Sequence, residues 1–324
     1  MAFADAELAA SVRAGLAAVE TALREAVRTD DTFLIEAGRY LVEAGGKRFR
    51  PLVTILAAHF GDPSAAEVVS AAVVVELTHL ATLYHDDVMD EAVMRRGAVS
   101  ANARWDNTVA ILTGDFLFSR ASDILADLGP YAVRVQARTF ERLVTGQIHE
   151  TIGVADGADP IEHYLSVLAD KTGSLIATSA EFGAMFAGAP TGQIEAVRRF
   201  GEQIGVAFQI SDDILDIASD STESGKTPGT DLREGVPTLP VLCALASADP
   251  ASARLRSLVC RPITDEAEHA EALALLRSSP ALDQARATLA QYVASARAML
   301  AELPDVPARR AFELVADTMV TRTH

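Results

Sequence analysis

From residue 5 to residue 320, almost every segment of the chain spaces its apolar residues three and four apart, and that period restricts it to helices. Residues 5 to 29 make one amphipathic helix, with Glu20, Arg24, Glu25 and Arg28 on its polar side. "GDPSAAEVV" reads as a helix start, with Asp62 as N-cap and Pro63 in the first turn. Helical patterning then runs to about Glu91. After a break at "RRGAVSAN" it resumes in "TVAILTGDFLFSRASDILADLG" and stops at Gly129-Pro130. Further helices are expected over 131–152, 160–170, 172–187, 191–219, 236–247, 251–259, 265–277, 281–302 and 307–320. Apolar residues make up 49% of the chain but aromatics only 6%, so alanine and leucine, both strong helix formers, supply most of the core. No stretch alternates β-branched and polar residues, so no sheet is expected. The one long irregular segment is "DIASDSTESGKTPGTDLREGVPT", and loops of that length in compact domains are often functional. The expectation is a single all-α domain over residues 1–324.

Two segments are out of place in such a chain. "LYHDDVMDEAVMRRG" ends an apolar run in Asp86, Asp87 and Asp90, and "QISDDILDI" repeats the D-D-x-x-D spacing at Asp212, Asp213 and Asp216. On a helix the outer two of each set lie one turn apart on one face. Aspartate is about 0.7 kcal/mol worse than alanine inside a helix, so six cost roughly 4 kcal/mol. A typical net stability is only ~5–15 kcal/mol. One such cluster could be a solvated helix end; two on apolar flanks call for a cation. Clustered hard oxygens suit Mg²⁺, which keeps several waters and bridges carboxylates to substrate phosphates.

Cations occur in four places. "GGKRFRP" carries Lys47, Arg48 and Arg50 behind Gly45 and Gly46, whose backbone can approach an anion. "MRRG" carries Arg95 and Arg96, "DKTG" carries Lys171 beside Thr172, and "SGKTPGTDLREG" carries Lys226 and Arg233. Each alone would simply face water. Arginine, however, grips phosphate bidentately. Taken with the two acidic clusters, they describe a site for two diphosphates, one of them held through metal.

The net charge of −17 argues against nucleic acid or an anionic membrane as partner. A small anion is still admissible, because local cations and a divalent ion reverse the sign within one pocket. No uncharged apolar run reaches the roughly 18 residues of a membrane span; "SAAVVVELTHLATLY" is interrupted by Glu76 and His79. The N-terminal segment carries acids early and lacks a basic n-region, so a cytoplasmic protein is expected. Cys243 and Cys260 have no metal-binding spacing and read as reduced packing thiols.

In type and order these motifs resemble those of the trans-polyprenyl diphosphate synthases, which join isoprenyl diphosphates head to tail. "GGKRFRP", "HDDVMDEAVMRRG", "GDFLFSRA", "DKTG", "FQISDDILD" and "GKTPGTDLREGVPTLP" carry the resemblance over nearly the whole chain. It implies an all-α fold around a deep central cavity, a homodimer, and Mg²⁺ bound as three ions by Asp86, Asp87, Asp90, Asp212, Asp213 and Asp216. Asp86, Asp87, Asp90, Asp212 and Lys171 take the catalytic part. Arg95, Lys171 and Lys226 match contacts to the allylic diphosphate, with Thr172 and Gln209 lining that site. Lys47, Arg50, His79 and Arg96 match the pocket for isopentenyl diphosphate. A histidine on an apolar helix is usually a core residue, but His79 lies two turns before Asp86 on the same face. Val236 departs from the pattern, since many members have lysine there, and Arg233 is a candidate stand-in.

The resemblance also implies a chemistry. The allylic C–O bond ionises, the isopentenyl double bond attacks the cation, and a proton is lost to the departing diphosphate, with His85 nearby but not the base. The floor of the family's cavity lies just before the first acidic motif. Short-chain enzymes tend to have Phe or Tyr there; Ala81 and Thr82 are small, which implies a long product of about six or more isoprene units. Phe116 and Phe118 could supply a floor from another helix. A class I terpene cyclase would have no use for "GGKRFRP", a non-catalytic synthase subunit usually loses aspartates, and a plain helical binding module leaves the basic motifs unexplained.

Overall fold

Helix α4 (Ala66–Met89) organises the first half of the molecule. Val73, Val74, Val75, Leu77, Leu80, Ala81 and Tyr84 are all buried, so this helix is apolar nearly all round and sits inside the protein. It is long and apolar enough to cross a membrane, but 61% of its most apolar window is buried against its own chain. Tyr84 ties it to α2 (Thr32–Glu43): the hydroxyl donates to Ala37 O at 2.5 Å and accepts from Leu41 N at 3.2 Å. Helices α1 (Ala6–Ala26) and α3 (Phe49–Ala58) also pack on α4. After the short α5 (Ala101–Arg104), α6 (Asn107–Leu128) lies against α4 so closely that a Cβ at Gly114 would come within 2.3 Å of His85 Nε2. The missing Cβ of Gly114 leaves room for both the His85 ring and the Ala81 carbonyl, which a Cβ would approach to 3.1 Å.

The computed structural model describes residues 3–219 and 228–323, and the chain divides into two compact units. The first comprises Met1–Phe140, Leu175–Gly201 and Leu303–Ala311; the second comprises Glu141–Ser174, Glu202–Glu302 and Phe312–His324. The remaining elements are α7 (Pro130–Ile152), α8 (Pro160–Leu168), a π turn (Ala169–Gly173), α9 (Ser174–Phe186) and α10 (Thr191–Ala218). They are followed by α11 (Thr230–Glu234), α12 (Leu239–Ala246), α13 (Ala253–Val259), α14 (Glu266–Arg277), α15 (Pro280–Leu300) and α16 (Pro307–Thr321). In the second unit the buried face of α10 includes Ile204, Val206, Ile210, Ile214 and Ile217, with the second acidic cluster at its end. Arg277 closes that end by donating to Ile217 O (2.7 Å) and Ser219 O (2.6 Å), carbonyls the helix leaves unpaired.

The all-α reading holds, with local corrections. Met94–Arg95 and Ala98–Val99 pair as a two-residue antiparallel hairpin, β1 and β2, too short to leave an alternating pattern in the sequence. Asp62 is not the N-cap of α4: its carboxylate accepts from Ser64 N (2.9 Å) and Ser64 Oγ (2.6 Å), forming a turn that delays the helix to Ala66. Helices α2 and α3 lie where no helix was expected. Pro51 sits in the first turn of α3, where no N–H is needed. Of the two cysteines only Cys243 packs; Cys260 is exposed.

Candidate active site

The three aspartates ending α4 sit where the helix dipole is negative and opposes them. Asp87 is fully buried; its Oδ1 accepts from Arg95 Nε at 2.5 Å, and its Oδ2 is buried with no hydrogen-bond partner. Asp90 is the C-cap, exposed, with Arg95 Nη2 at 3.6 Å. Asp86 is half-buried one turn before it. Arg95 thus serves Asp87 and Asp90 together, and the unpartnered Oδ2 of Asp87 adds to the demand for positive charge. Among the described residues no three acidic, His or Cys groups make a complete cation site. The donors nonetheless fit Mg²⁺, which accepts a few carboxylate oxygens and completes its shell with water and phosphate.

Adjacent Arg95 and Arg96 are sent in different directions by the hairpin. Its two turn residues, Arg96 (φ 53) and Gly97 (φ 77), are both left-handed, as a type I′ turn requires. Arg95 therefore faces the acids, while Arg96 Nη1 donates to Gly45 O (2.5 Å) and Leu41 O (3.2 Å), and Nη2 lies 3.4 Å from His79 Nε2. A Cβ on Gly46 would lie 2.9 Å from Arg96 Cζ, and Gly46 has φ 140. The glycine pair thus makes room for a guanidinium.

Arg50 stands in the same place. Burial, outweighing the support of nearby Glu76, lowers its pKa to about 10, and its Nε is buried with no partner. His79 is held well below its usual pKa by burial first, then by Arg50, Arg96, Arg48 and Arg95, so its imidazole is neutral. Lys47 is exposed. Arg48 is different: it turns into the core, pairing with Glu76 at 2.8 Å and with Glu20, and donating to Val42 O at 2.7 Å. Since Arg48 already engages Glu76, the group of Arg50, Arg96 and neutral His79 has positive charge to spare. It can bind an anion.

A cavity of 410 Å³ opens in the first unit among α4, α6 and α7, lined in part by His85, Phe118, Leu125, Val133, Gln136 and Phe140. Phe118 and Phe140 meet edge to face at 4.5 Å. Gln136 Nε2 donates to Thr78 Oγ1 at 2.7 Å, and His85 Nε2 lies 3.1 Å from Ile111 O and 3.4 Å from the Asp115 carboxylate. Thr82, between Thr78 and His85 on α4, is half-buried, and its hydroxyl donates to His79 O at 2.8 Å. Ala81 is fully buried, its carbonyl 3.1 Å from where a Gly114 Cβ would stand. Phe118 lines the cavity; Phe116 instead packs on Gly38 of α2.

In the second unit the acids at the end of α10 also have separate partners. Asp212 Oδ1 pairs with Arg322 Nη1 at 2.9 Å. Asp213 accepts from the Tyr164 hydroxyl and from Gln209 Nε2 at 3.3 Å, while burial pushes its pKa up to about 6. Asp216 accepts from Thr230 N (3.3 Å) and Asp231 N (3.2 Å), tying α11 to α10. Lys171 lies on the π turn, a rare form often found at functional sites. Arg142 braces that turn through Asp170 (2.7 Å) and Glu202 (2.6 Å). Lys171 Nζ meets Glu150 at 2.5 Å in a part-exposed pair, weak enough to yield to an anion. Thr172 is half-buried on the same turn. Arg233 is engaged by Glu266 at 2.8 and 2.9 Å, so it does not stand in beside the exposed Val236. Lys226 lies outside the described residues. Tyr164 and Arg322 were missed from the sequence, where no motif surrounds either.

The family model described as Polyprenyl synthetase matches residues 31–276. A nonaprenyl diphosphate synthase of Mycobacterium tuberculosis is 55% identical over 98% of this chain and 95% of its own. A geranylgeranyl pyrophosphate synthase from Corynebacterium glutamicum, solved with calcium and isoprenyl diphosphate, superposes with a TM-score of 0.90 at 46% identity, covering 100% of this chain and 99% of its own. A decaprenyl diphosphate synthase from Rhodobacter capsulatus gives 0.89 at 34% identity, over 98% and 99% of the two chains. Matched along its length by sequence and by structure, the chain belongs to the polyprenyl synthetase family.

Proposed function

We propose that this prenyltransferase condenses isopentenyl diphosphate head to tail with an allylic diphosphate and extends it to a long all-trans chain of about six or more units. The observation that carries the reading is on α4. Arg50, His79 and Arg96 gather at one level, and the Asp86–Asp87–Asp90 cluster follows two turns on, roughly 10 Å along the axis. Along α4 an anion site that needs no metal, built by Arg50 of α3, His79 of α4 and Arg96 of the hairpin, therefore stands beside an acidic one that does.

Lys47, Arg50, His79 and Arg96 hold the isopentenyl diphosphate, with His79 contributing hydrogen bonding rather than charge. Arg95, Lys171, Thr172, Gln209 and Lys226 hold the allylic diphosphate. Divalent metal, in our reading three Mg²⁺ held by the six motif aspartates, supplies the positive charge that lets the allylic C–O bond ionise. Holding both substrates aligned removes much of the entropic barrier to attack by the double bond. The proton then leaves to the departing diphosphate oxygen; His85 is turned toward Ile111 O and Asp115.

Small Ala81 and Thr82 and the cavity behind His85 support a long product. The M. tuberculosis relative points the same way. The likeness to a geranylgeranyl synthase favours a second, shorter-product reading. We further infer one catalytic domain spanning residues 1–324, working in the cytoplasm as a homodimer. Purified protein given Mg²⁺, isopentenyl diphosphate and separate allylic primers should yield a ladder ending in long chains. Products stopping at four units would leave the reaction intact and refute the length; a cyclic hydrocarbon would refute the reaction.

A further inference from the structure

The geometry points to Arg322, just after α16, as a positioning residue that fixes the Asp212 carboxylate for metal. This rests on the metal-binding role proposed for the second acidic cluster. Phe208, Ser211 and Asp212 share one face of α10, and Arg322 meets all three. Its Nε donates to Ser211 Oγ at 2.6 Å, its Nη2 to Phe208 O at 2.9 Å, and its Nη1 pairs with Asp212 Oδ1 at 2.9 Å. The guanidinium also lies 4.8 Å from the centre of the Phe208 ring. Two hydrogen bonds and a ring contact thus set the plane of this group without help from Asp212. It acts as a fixed template, not as a partner that follows the carboxylate.

The template is itself anchored. Ser211 Oγ, which accepts from Arg322, donates to Met319 O at 2.8 Å. Thr323 is buried, and its carbonyl accepts from Arg286 at 3.3 Å. A metal-ligating carboxylate whose outer hydrogen bonds are fixed binds more tightly, and removing such a partner typically weakens metal affinity by about 10–100-fold. Arg322 also sets one positive charge against three neighbouring aspartates, so the cluster can fold before metal arrives.

The test titrates MgCl₂ against Arg322→Met and Arg322→Lys, following turnover and, separately, the rise in Tm with inorganic pyrophosphate present. For Arg322→Met we expect both half-points to move about tenfold toward higher Mg²⁺. The KM for isopentenyl diphosphate at saturating Mg²⁺ should stay near wild type. Arg322→Lys, which keeps the charge but can fill fewer of the contacts, should fall between and remains informative if the methionine variant does not fold. A Tm lowered equally at every Mg²⁺ concentration, with unmoved half-points, overturns the proposal; so does tighter metal binding, which would make Arg322 a competitor. Asp212→Asn separates the two readings. If it leaves the Mg²⁺ half-points at wild type, the metal role of the cluster fails; if it shifts them while Arg322→Met does not, only the role of Arg322 fails.

Discussion

Outside glycine a left-handed residue costs about 1–2 kcal/mol, and two arginines of the basic motifs bear that cost, Arg48 at φ 46 and Arg96 at φ 53. The compensation differs. Arg48 is held by buried Glu76 and by Glu20, so Arg48→Met should cost about 3–5 kcal/mol in a urea melt, the usual toll of breaking a buried pair. Arg96→Gly should relieve the turn and leave the melt near wild type while raising the KM for isopentenyl diphosphate. At about 1.5–3 kcal/mol per charged hydrogen bond, the rise is roughly ten- to hundredfold. An unchanged KM would take Arg96 out of the anion pocket. His79 adds a pH dependence. Its folded pKa is lowered, so below about pH 6.5 the unfolded chain takes a proton that the native chain refuses. Its contribution is therefore complete above that pH and declines as pH falls through it. His59, also lowered by burial, acts in the same sense, so wild type must be compared with His79→Gln. The variant should show a flatter fall in urea midpoint between about pH 7 and pH 5. Equal slopes would mean that His79 already carries its proton in the native state.

At the scale of elements, α4 makes Ala81 and Thr82 separable although they are adjacent and both small. Thr82 lies one turn after Thr78, which holds the cavity-lining Gln136, and just before His85, which lines the cavity, so Thr82→Phe should shorten the product, read by mass, with little change in Tm. Ala81 is fully buried where α6 comes closest, and Ala81→Phe overfills that contact at a cost of about 1–3 kcal/mol or more. Any shortening there should come with a fall in Tm. Full-length products from Thr82→Phe would move the floor to residues such as Leu125 or Val133. The sequence made α4, α6, α7 and α10 legible because a long apolar period has one solution. It also located both acidic clusters, since charges ending apolar helices are conspicuous. Only the family resemblance told Arg48 from Arg50; the residues themselves did not, because the direction of Arg48 depends on Glu20 and Glu76, far from it along the chain. The π turn under Lys171 was invisible for the same reason: Arg142, Asp170 and Glu202 come together only in the fold. Arg322 reaches α10 over more than a hundred residues, and no local pattern announces such a contact.

For the whole molecule, a net charge of −17 keeps copies apart unless a surface repays their approach. In the first unit α6 exposes Ile111 and Leu112, and α7 exposes Val133 and Phe140. Farther along α7, Val144, Ile148 and Ile152 are exposed too, at successive four-residue steps from Phe140. Isolated exposed apolar residues need no explanation, but a patch of this kind marks an interaction surface. The homodimer proposed above would put a second copy on this surface, since a two-fold axis brings the same patch to itself. Leu112→Glu should then convert the dimer to monomer in sedimentation at micromolar protein while leaving Tm largely intact. Salt supplies an independent check. With apolar contact opposed by long-range repulsion, screening should tighten the dimer, whereas an interface built on ion pairs would loosen. Dimers that survive Leu112→Glu and weaken with salt would place the contact on another, charged surface and leave the α6–α7 patch to a different partner.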